Sequence, residues 1–193
     1  MKAQNKIVSF VGPSGVGKTS YAKRLIEKYN FVAPTAATTR QQRSDDDGHY
    51  KYVTESTFFK MVNSGAFLEW DRYSNYCYGT LLRSVEEIMS SSHRRGVILD
   101  LTPNGCRKVK EVIPHTIVIA LLPDDPNWLL ERLMSRNSQP PEEIQTRENL
   151  LMGYLDEINM LVNMLACKKV YASFSPGSWD GTFETIEKIV FES

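Results

Sequence analysis

Gly12-Pro13-Ser14-Gly15-Val16-Gly17-Lys18-Thr19 follows the pattern G-x-x-x-x-G-K-[ST], in which glycines let backbone N–H groups converge on phosphate oxygens. Its surroundings fit. Ile7-Val8-Ser9-Phe10-Val11 is an apolar run of strand length, and residues 19–29 carry the amphipathic spacing of a helix. Strand, loop and helix in that order bring a helix N-terminus, with its partial positive charge, against the phosphates. Gly12, Pro13, Ser14, Gly15, Val16, Gly17, Lys18 and Thr19 are therefore the expected triphosphate cradle. Lys18 is expected to reach the β- and γ-phosphates, and the Thr19 hydroxyl to ligate Mg²⁺. A glycine-rich turn that only caps a helix is the plainer alternative, and the strand–loop–helix context disfavours it.

The 193 residues suffice for one sizeable core with small lobes attached. Lys and Arg total 23, as do Asp and Glu, so the formal net charge is zero. That balance argues against broad electrostatic capture of nucleic acid or of a membrane surface. Cys77, Cys106 and Cys167 are odd in number and contain no C-x-x-C pair, which reads as reduced thiols in a cytoplasmic protein without a thiolate metal site. No apolar run reaches the length of a membrane span, and the phosphate loop interrupts the only N-terminal stretch that could resemble a signal peptide.

Residues 31–69 change character, being rich in Thr, Tyr and Asp, with a β-like piece at Tyr50-Lys51-Tyr52-Val53 and a turn around residues 44–48. A short helix is expected over residues 56–63, ended by Ser64-Gly65, and strands over 67–70 and 73–78. Residues 33–94 thus read as a small, mostly β lobe inserted into the main sheet. The α/β rhythm then resumes with a strand at 96–101, a helix opened by Pro103 through Val112, a strand at 116–122 and a helix near 126–136. Pro141-Glu142-Glu143 begins a long helix whose Leu151, Leu155, Ile158, Val162 and Leu165 keep helical spacing and face the core. A strand at 168–174 and a helix at 181–190 close the chain. Strands alternating with helices imply a parallel sheet covered on both faces, with ligands beyond the carboxyl ends of its strands.

Arginines are the next chemical signal. Arg40 and Arg43 lie in Thr38-Thr39-Arg40-Gln41-Gln42-Arg43, Arg132 and Arg136 share a helix face, and Arg147 follows on the next helix. Guanidinium forks stabilise the charge that phosphoryl transfer spreads over the moving group. Asp100, ending an apolar strand, suits a direct or water-mediated contact to Mg²⁺, with a helix cap before Pro103 as the alternative.

Gly12 to Thr19, Thr38-Thr39-Arg40-x-x-Arg43, Tyr50, Phe67-Leu68-Glu69-Trp70, Tyr78-Gly79-Thr80 and Ile98-Leu99-Asp100 together resemble the guanylate kinase family in order and spacing. The resemblance runs from about residue 7 to 158, with a loop near Asp45 about two residues short. It implies an α/β fold: a P-loop NTPase with a parallel sheet flanked by helices, an inserted β-rich NMP-binding lobe and a helical lid. On that frame residues 1–193 form a single domain, with a core of 1–32, 95–125 and 160–193, a lobe of 33–94 and a lid of about 126–159. The implied activity is transfer of a phosphoryl group from ATP to GMP or dGMP, with Mg²⁺ as cofactor, in a cytoplasmic monomer or homodimer.

The resemblance also distributes roles. Arg40, Arg43, Tyr50 and Tyr78 would hold the acceptor's phosphate, Glu69 and Thr80 would contact guanine, and Arg136 and Arg147 would act from the lid, with Arg132 a weaker candidate. Lys18, Arg40, Arg136 and Arg147 form the implied catalytic set, and Thr19 and Asp100 the metal contacts. Chemistry supports Glu69, because a carboxylate accepts both the N1–H and the exocyclic amine of guanine, whereas adenine presents an acceptor at N1. Three departures stand out. Ala36 and Thr102 replace a serine and an aspartate that help bind guanine, and Tyr171-Ala172-Ser173-Phe174-Ser175 replaces a Val-Asn-Asp-Asp-like segment. They keep open another acceptor on the same fold, such as a different monophosphate or ribose 1,5-bisphosphate. A non-catalytic phosphopeptide-binding module is the third reading, disfavoured by the intact Lys18 and Thr19. Asp45-Asp46-Asp47 reads as a solvated turn.

Overall fold

The computed structural model describes residues 5–42, 48–73, 75–135, 142–165, 167–173, 175 and 177–192; the side chains of 134–135, 142–148 and 150 also lie outside the description. Strand β1 (Lys6–Val11) leads through the glycine-rich loop into helix α1 (Lys18–Tyr29) and the short β2 (Phe31–Val32). Further along come β7 (Gly96–Asp100), helix α4 (Pro103–Val112) and β8 (Ile117–Pro123). Helix α5 (Pro126–Ser135), helix α6 (Glu142–Leu165), strand β9 (Lys168–Ala172) and helix α7 (Ser178–Glu192) complete this part. These strands form a five-stranded parallel sheet in the order β2-β7-β1-β8-β9.

The sequence explains the central position of β1. Ile7, Val8, Phe10 and Val11 are all at most 2 % exposed, as a strand covered by helices on both faces requires. Its neighbours match it: Val97, Ile98 and Leu99 of β7 and Val118 to Leu122 of β8 are buried in the same core. Each such side chain contributes about 1.5–3 kcal/mol by leaving water, so the sheet is the firm frame that carries the loops at its carboxyl edge. The stripe expected on α6 faces inward, with Leu151, Leu155, Ile158 and Val162 buried and Leu165 half-buried against the core.

The stretch of chain between β2 and β7 builds a second sheet. It contains β3 (Ala36–Thr38), β4 (Tyr50–Tyr52), β5 (Phe67–Tyr73) and β6 (Tyr76–Leu81), in the order β4-β3-β6-β5, with β3 and β4 parallel and the other pairs antiparallel. Helix α2 (Glu55–Asn63) begins at Thr54, whose hydroxyl accepts from Thr57 N. Its Phe58 is fully buried and stacks on Phe67 at 4.8 Å, giving this sheet a small core of its own with Ala37 and Cys77. One helix here departs from the sequence reading: α3 (Leu82–Ser90) follows β6 without a break and turns Leu82, Val85, Ile88 and Met89 toward the main core. It begins with no side-chain cap, so the usual start signal is missing.

Candidate active site

The chain leaves β1 where its neighbours β7 and β8 lie on opposite sides, the switch point at which open α/β sheets bind ligands. Gly15 and Gly17 adopt φ of 84° and 111°, left-handed values that favour glycine, and Gly17 caps α1. A side chain at Gly17 would also stand 3.2 Å from the Tyr21 ring. Lys18 folds back over the loop: its Nζ donates to the carbonyls of Gly12 (2.7 Å) and Pro13 (3.1 Å) and lies 3.8 Å from Asp100 Oδ1. Thr19 is exposed on the first turn of the helix. The Asp100 carboxylate faces the cleft; the surrounding walls raise its pKa by desolvation, against the opposing pull of Lys18.

A cleft of about 410 Å³ joins this loop to the second sheet. At its far end Glu69 and Thr80 face each other across β5 and β6, both buried. Glu69 Oε1 accepts from Thr80 Oγ1 at 2.7 Å and from Thr80 N at 3.2 Å. Burial holds the Glu69 carboxyl above the ordinary carboxylate range, partly offset by the Thr80 bonds and by Lys108. Ala36 pairs with Thr80 on the neighbouring strand and lines the same cavity. Along one wall Arg40, only 7 % exposed, places its guanidinium 5.5 Å from the Tyr50 ring centre and 6.0 Å from that of Tyr52. Tyr50 in turn meets Tyr78 edge-on at 6.4 Å.

Of the residues singled out in the sequence, the fold brings Ser14, Gly15, Lys18, Thr19, Arg40, Tyr50, Glu69, Tyr78, Thr80, Asp100 and Arg132 to this one cleft. Arg43, Arg136 and the run Asp45-Asp46-Asp47 lie outside the described residues, and Arg147 is placed on α6 without a described side chain.

Sequence reasoning missed a second group. Asp71 stands two positions beyond Glu69 on β5 and lines the cleft with it. Thr102 Oγ1 donates to Asp71 Oδ2, and Asn104 Nδ2 donates to Oδ1 at 3.0 Å. Tyr73 and Tyr154 add an aromatic wall, their rings 6.2 Å apart. Lys108, also on α4, donates to the Trp70 carbonyl and lies 5.0 Å from its ring centre. The signal available for Asp71 was the strand period of two, which puts residues 69 and 71 on one face.

Gly105, in the first turn of α4, tests this geometry. A Cβ there would stand 2.9 Å from Glu69 Oε2, and the carboxylate, held by Thr80, would have to yield. On the expectation that Glu69 contacts the base of an acceptor, Gly105→Ala raises the KM for that acceptor about tenfold. Its melting temperature should be unchanged or slightly higher, since alanine favours a helix by about 0.5–1 kcal/mol over glycine. Steady-state kinetics beside a melting curve separates the two; an unchanged KM would remove Glu69 Oε2 from the acceptor contacts.

Comparison with known proteins bears on the family and the fold. The guanylate kinase family model matches residues 4–163. The chain is 34 % identical over 150 residues to a guanylate kinase of Prochlorococcus marinus (strain MIT 9312), covering 76 % of this chain and 80 % of the relative. It is 33 % identical over 168 residues to one of Thermotoga maritima, covering 84 % and 79 %. Its fold is similar to the crystal structure of guanylate kinase from Anaplasma phagocytophilum, with a TM-score of 0.67 at 20 % identity over 98 % of this chain and 86 % of that one. With the phosphate loop at one end of the cleft and a buried carboxylate at the other, this chain belongs to the guanylate kinase family.

Proposed function

We propose that the chain transfers the γ-phosphoryl group of ATP to GMP or dGMP, giving ADP and the corresponding diphosphate. One observation carries this reading beside the family membership: a single cleft holds both the Lys18 loop and the buried Glu69–Thr80 pair. ATP phosphates occupy the Gly12 to Thr19 loop. Arg40, with Tyr50 and Tyr78 around it, takes the acceptor's phosphate, and Arg43 is assigned the same role from its place in the sequence motif. Glu69 accepts the N1–H and an exocyclic amine hydrogen of guanine, and Thr80 fixes the rotamer of that carboxylate.

No general base is needed, because the acceptor phosphate is already an oxyanion. The barrier falls through alignment of donor and acceptor and through neutralisation of charge on the moving group. Lys18 exchanges its bonds to the loop carbonyls for phosphate oxygens as ATP enters. Arg132 from α5, with Arg136 and Arg147 from the lid over residues 126–159, converges on the transferred group when the cleft closes and excludes water. The residues suit Mg²⁺: the Thr19 hydroxyl and the Asp100 carboxylate are hard oxygen donors lining one cleft and would hold the ion. When bound there, Mg²⁺ supplies charge neutralisation at the phosphates.

No helix among the described residues is long and apolar enough to cross a membrane, and Cys77, Cys106 and Cys167 are free thiols. The proposed setting is the cytoplasm, with free nucleotides as the partners and the chain acting as a monomer or homodimer.

The test is ADP release with ATP and Mg²⁺ against GMP, dGMP, AMP and ribose 1,5-bisphosphate, with acceptor omitted as control. Turnover strongest with GMP or dGMP is expected. Preference for another acceptor would keep the phosphotransferase and transfer the role of Ala36 and Thr102 to that acceptor. ATP binding without turnover on any acceptor would leave a binding module.

A further inference from the structure

The guanylate kinase pattern places an aspartate where this chain has Thr102, and Thr102 brings no negative charge to a base amine and already accepts from Gly105 N. Its hydroxyl is already committed. As the N-cap of α4 it accepts from Gly105 N at 3.0 Å, so its single hydrogen is free to point elsewhere, and it is given to Asp71 Oδ2. Asn104 adds its amide at Oδ1, and Arg72 N reaches the same oxygen at 3.0 Å. Three donors thus hold one carboxylate on the wall of the acceptor cleft, and among the described residues Oδ2 receives only one of them, leaving it capacity to accept another hydrogen.

The position of this carboxylate relative to Glu69 follows from two independent facts. Residues 69 and 71 share a face of β5. A Cβ on Gly105 would lie 2.9 Å from Glu69 Oε2 and 3.4 Å from Thr102 Oγ1, so the free oxygen of Glu69 and the hydroxyl that grips Asp71 flank one point. The first turn of α4 presents its partial positive charge there, which favours anions beside it. An aspartate at position 102 would be incompatible with this arrangement, since it offers no hydrogen and would set a second negative charge against Asp71. Thr102 and Asp71 are therefore one coupled device rather than a lost contact.

We propose that Asp71, gripped by Thr102 and Asn104, is the second base-reading carboxylate of this enzyme and accepts the exocyclic amine hydrogen of guanine that Glu69 leaves unpaired. The inference rests on the reading of GMP or dGMP as acceptor. It predicts that specificity for the 2-amino group resides in residue 71, carried by the lobe strand, instead of residue 102 in the core.

Inosine monophosphate, which differs from GMP by the missing 2-amino group, is the probe. The ratio of kcat/KM for GMP over inosine monophosphate is expected to fall about 10- to 100-fold in Asp71→Ala, with the change in KM rather than kcat. Aspartate is a good N-cap, so Asp71→Ala combined with Thr102→Asp returns a carboxylate to the site from the helix and is expected to recover most of the ratio. An unchanged ratio in Asp71→Ala, with GMP still phosphorylated, overturns the role of Asp71 and leaves the kinase reading intact. An equal loss on both acceptors with a lowered melting temperature and no recovery in the double variant makes Asp71 a strut between lobe and core, and also overturns it. A wild-type protein that phosphorylates neither acceptor overturns the function reading and this inference with it.

Discussion

Lys18→Ala is expected to lower kcat about 10²- to 10³-fold while the protein stays folded. The size follows from the location of the lost charge. A preorganised donor aimed at charge that develops in a water-excluded site is worth that much in other transfer reactions, and the Lys18 ammonium sits on the loop proposed to take the phosphates. Stability should move little, because the lysine serves no core. Its Nζ bonds two loop carbonyls and approaches an Asp100 carboxylate that is itself open to the cleft, and water can replace it at each. The side chain is 14 % exposed and that of Asp100 46 %, so the pair is screened and its loss costs little. ADP release at saturating ATP and GMP, read beside a melting curve, decides the matter. Near-normal turnover in the variant would place the phosphates elsewhere.

The elements that carry this prediction were the most legible in the sequence. A continuous apolar run, a glycine loop and an amphipathic segment permit one local solution, and β1 and α1 begin within a residue of where the pattern puts them. The same holds for α4, which starts at Pro103 and ends at Val112 as its proline and spacing imply. Elements without local signals were lost. Strand β2 is two residues long and exists because Phe31 and Val32 pair with Gly96 and Val97, a partner 65 residues away in the chain by their numbers. Strand β3 holds only Ala36-Ala37-Thr38, too short and small to show a period. Helix α7 begins at Ser178, and Gly181, a residue that suggests a boundary, lies inside its first turn. For the site, individual residues were readable and their couplings were not. Asp71 meets Thr102 and Asn104 across separations of 31 and 33 residues, so the sequence shows an aspartate missing at 102 and not the carboxylate that the fold brings to the Thr102 hydroxyl.

Glu69→Gln should separate stability from function, because the wild-type carboxylate is held where burial disfavours its charge. The pKa of Glu69 is raised by desolvation, which outweighs the two bonds from Thr80 and the attraction of Lys108. A raised folded-state pKa means that the native protein binds this proton more tightly than the unfolded chain does. Its effect on stability is therefore absent below the unfolded value. Stability is lost as pH rises through the window up to the raised folded value, and the loss is constant above it. A neutral glutamine escapes this, so the difference in melting temperature, variant minus wild type, should grow with pH across that window. Acceptor affinity runs the other way. Only the ionised carboxylate accepts both the N1–H and an amine hydrogen of guanine, so the wild-type KM for GMP should rise as pH falls into the same window from above. The glutamine variant, with an N–H₂ turned on either guanine or Thr80, should lose about 100-fold in kcat/KM for GMP and show no such pH dependence. Titration of KM and melting temperature on both proteins provides four curves. A variant that melts well below wild type at every pH yet still prefers GMP would make Glu69 a support for β6, and the base would have to be read by other groups in the cleft. With the expected signs, the acceptor site is a place where the fold gives up stability above the raised pKa of Glu69 to hold a desolvated charge for guanine.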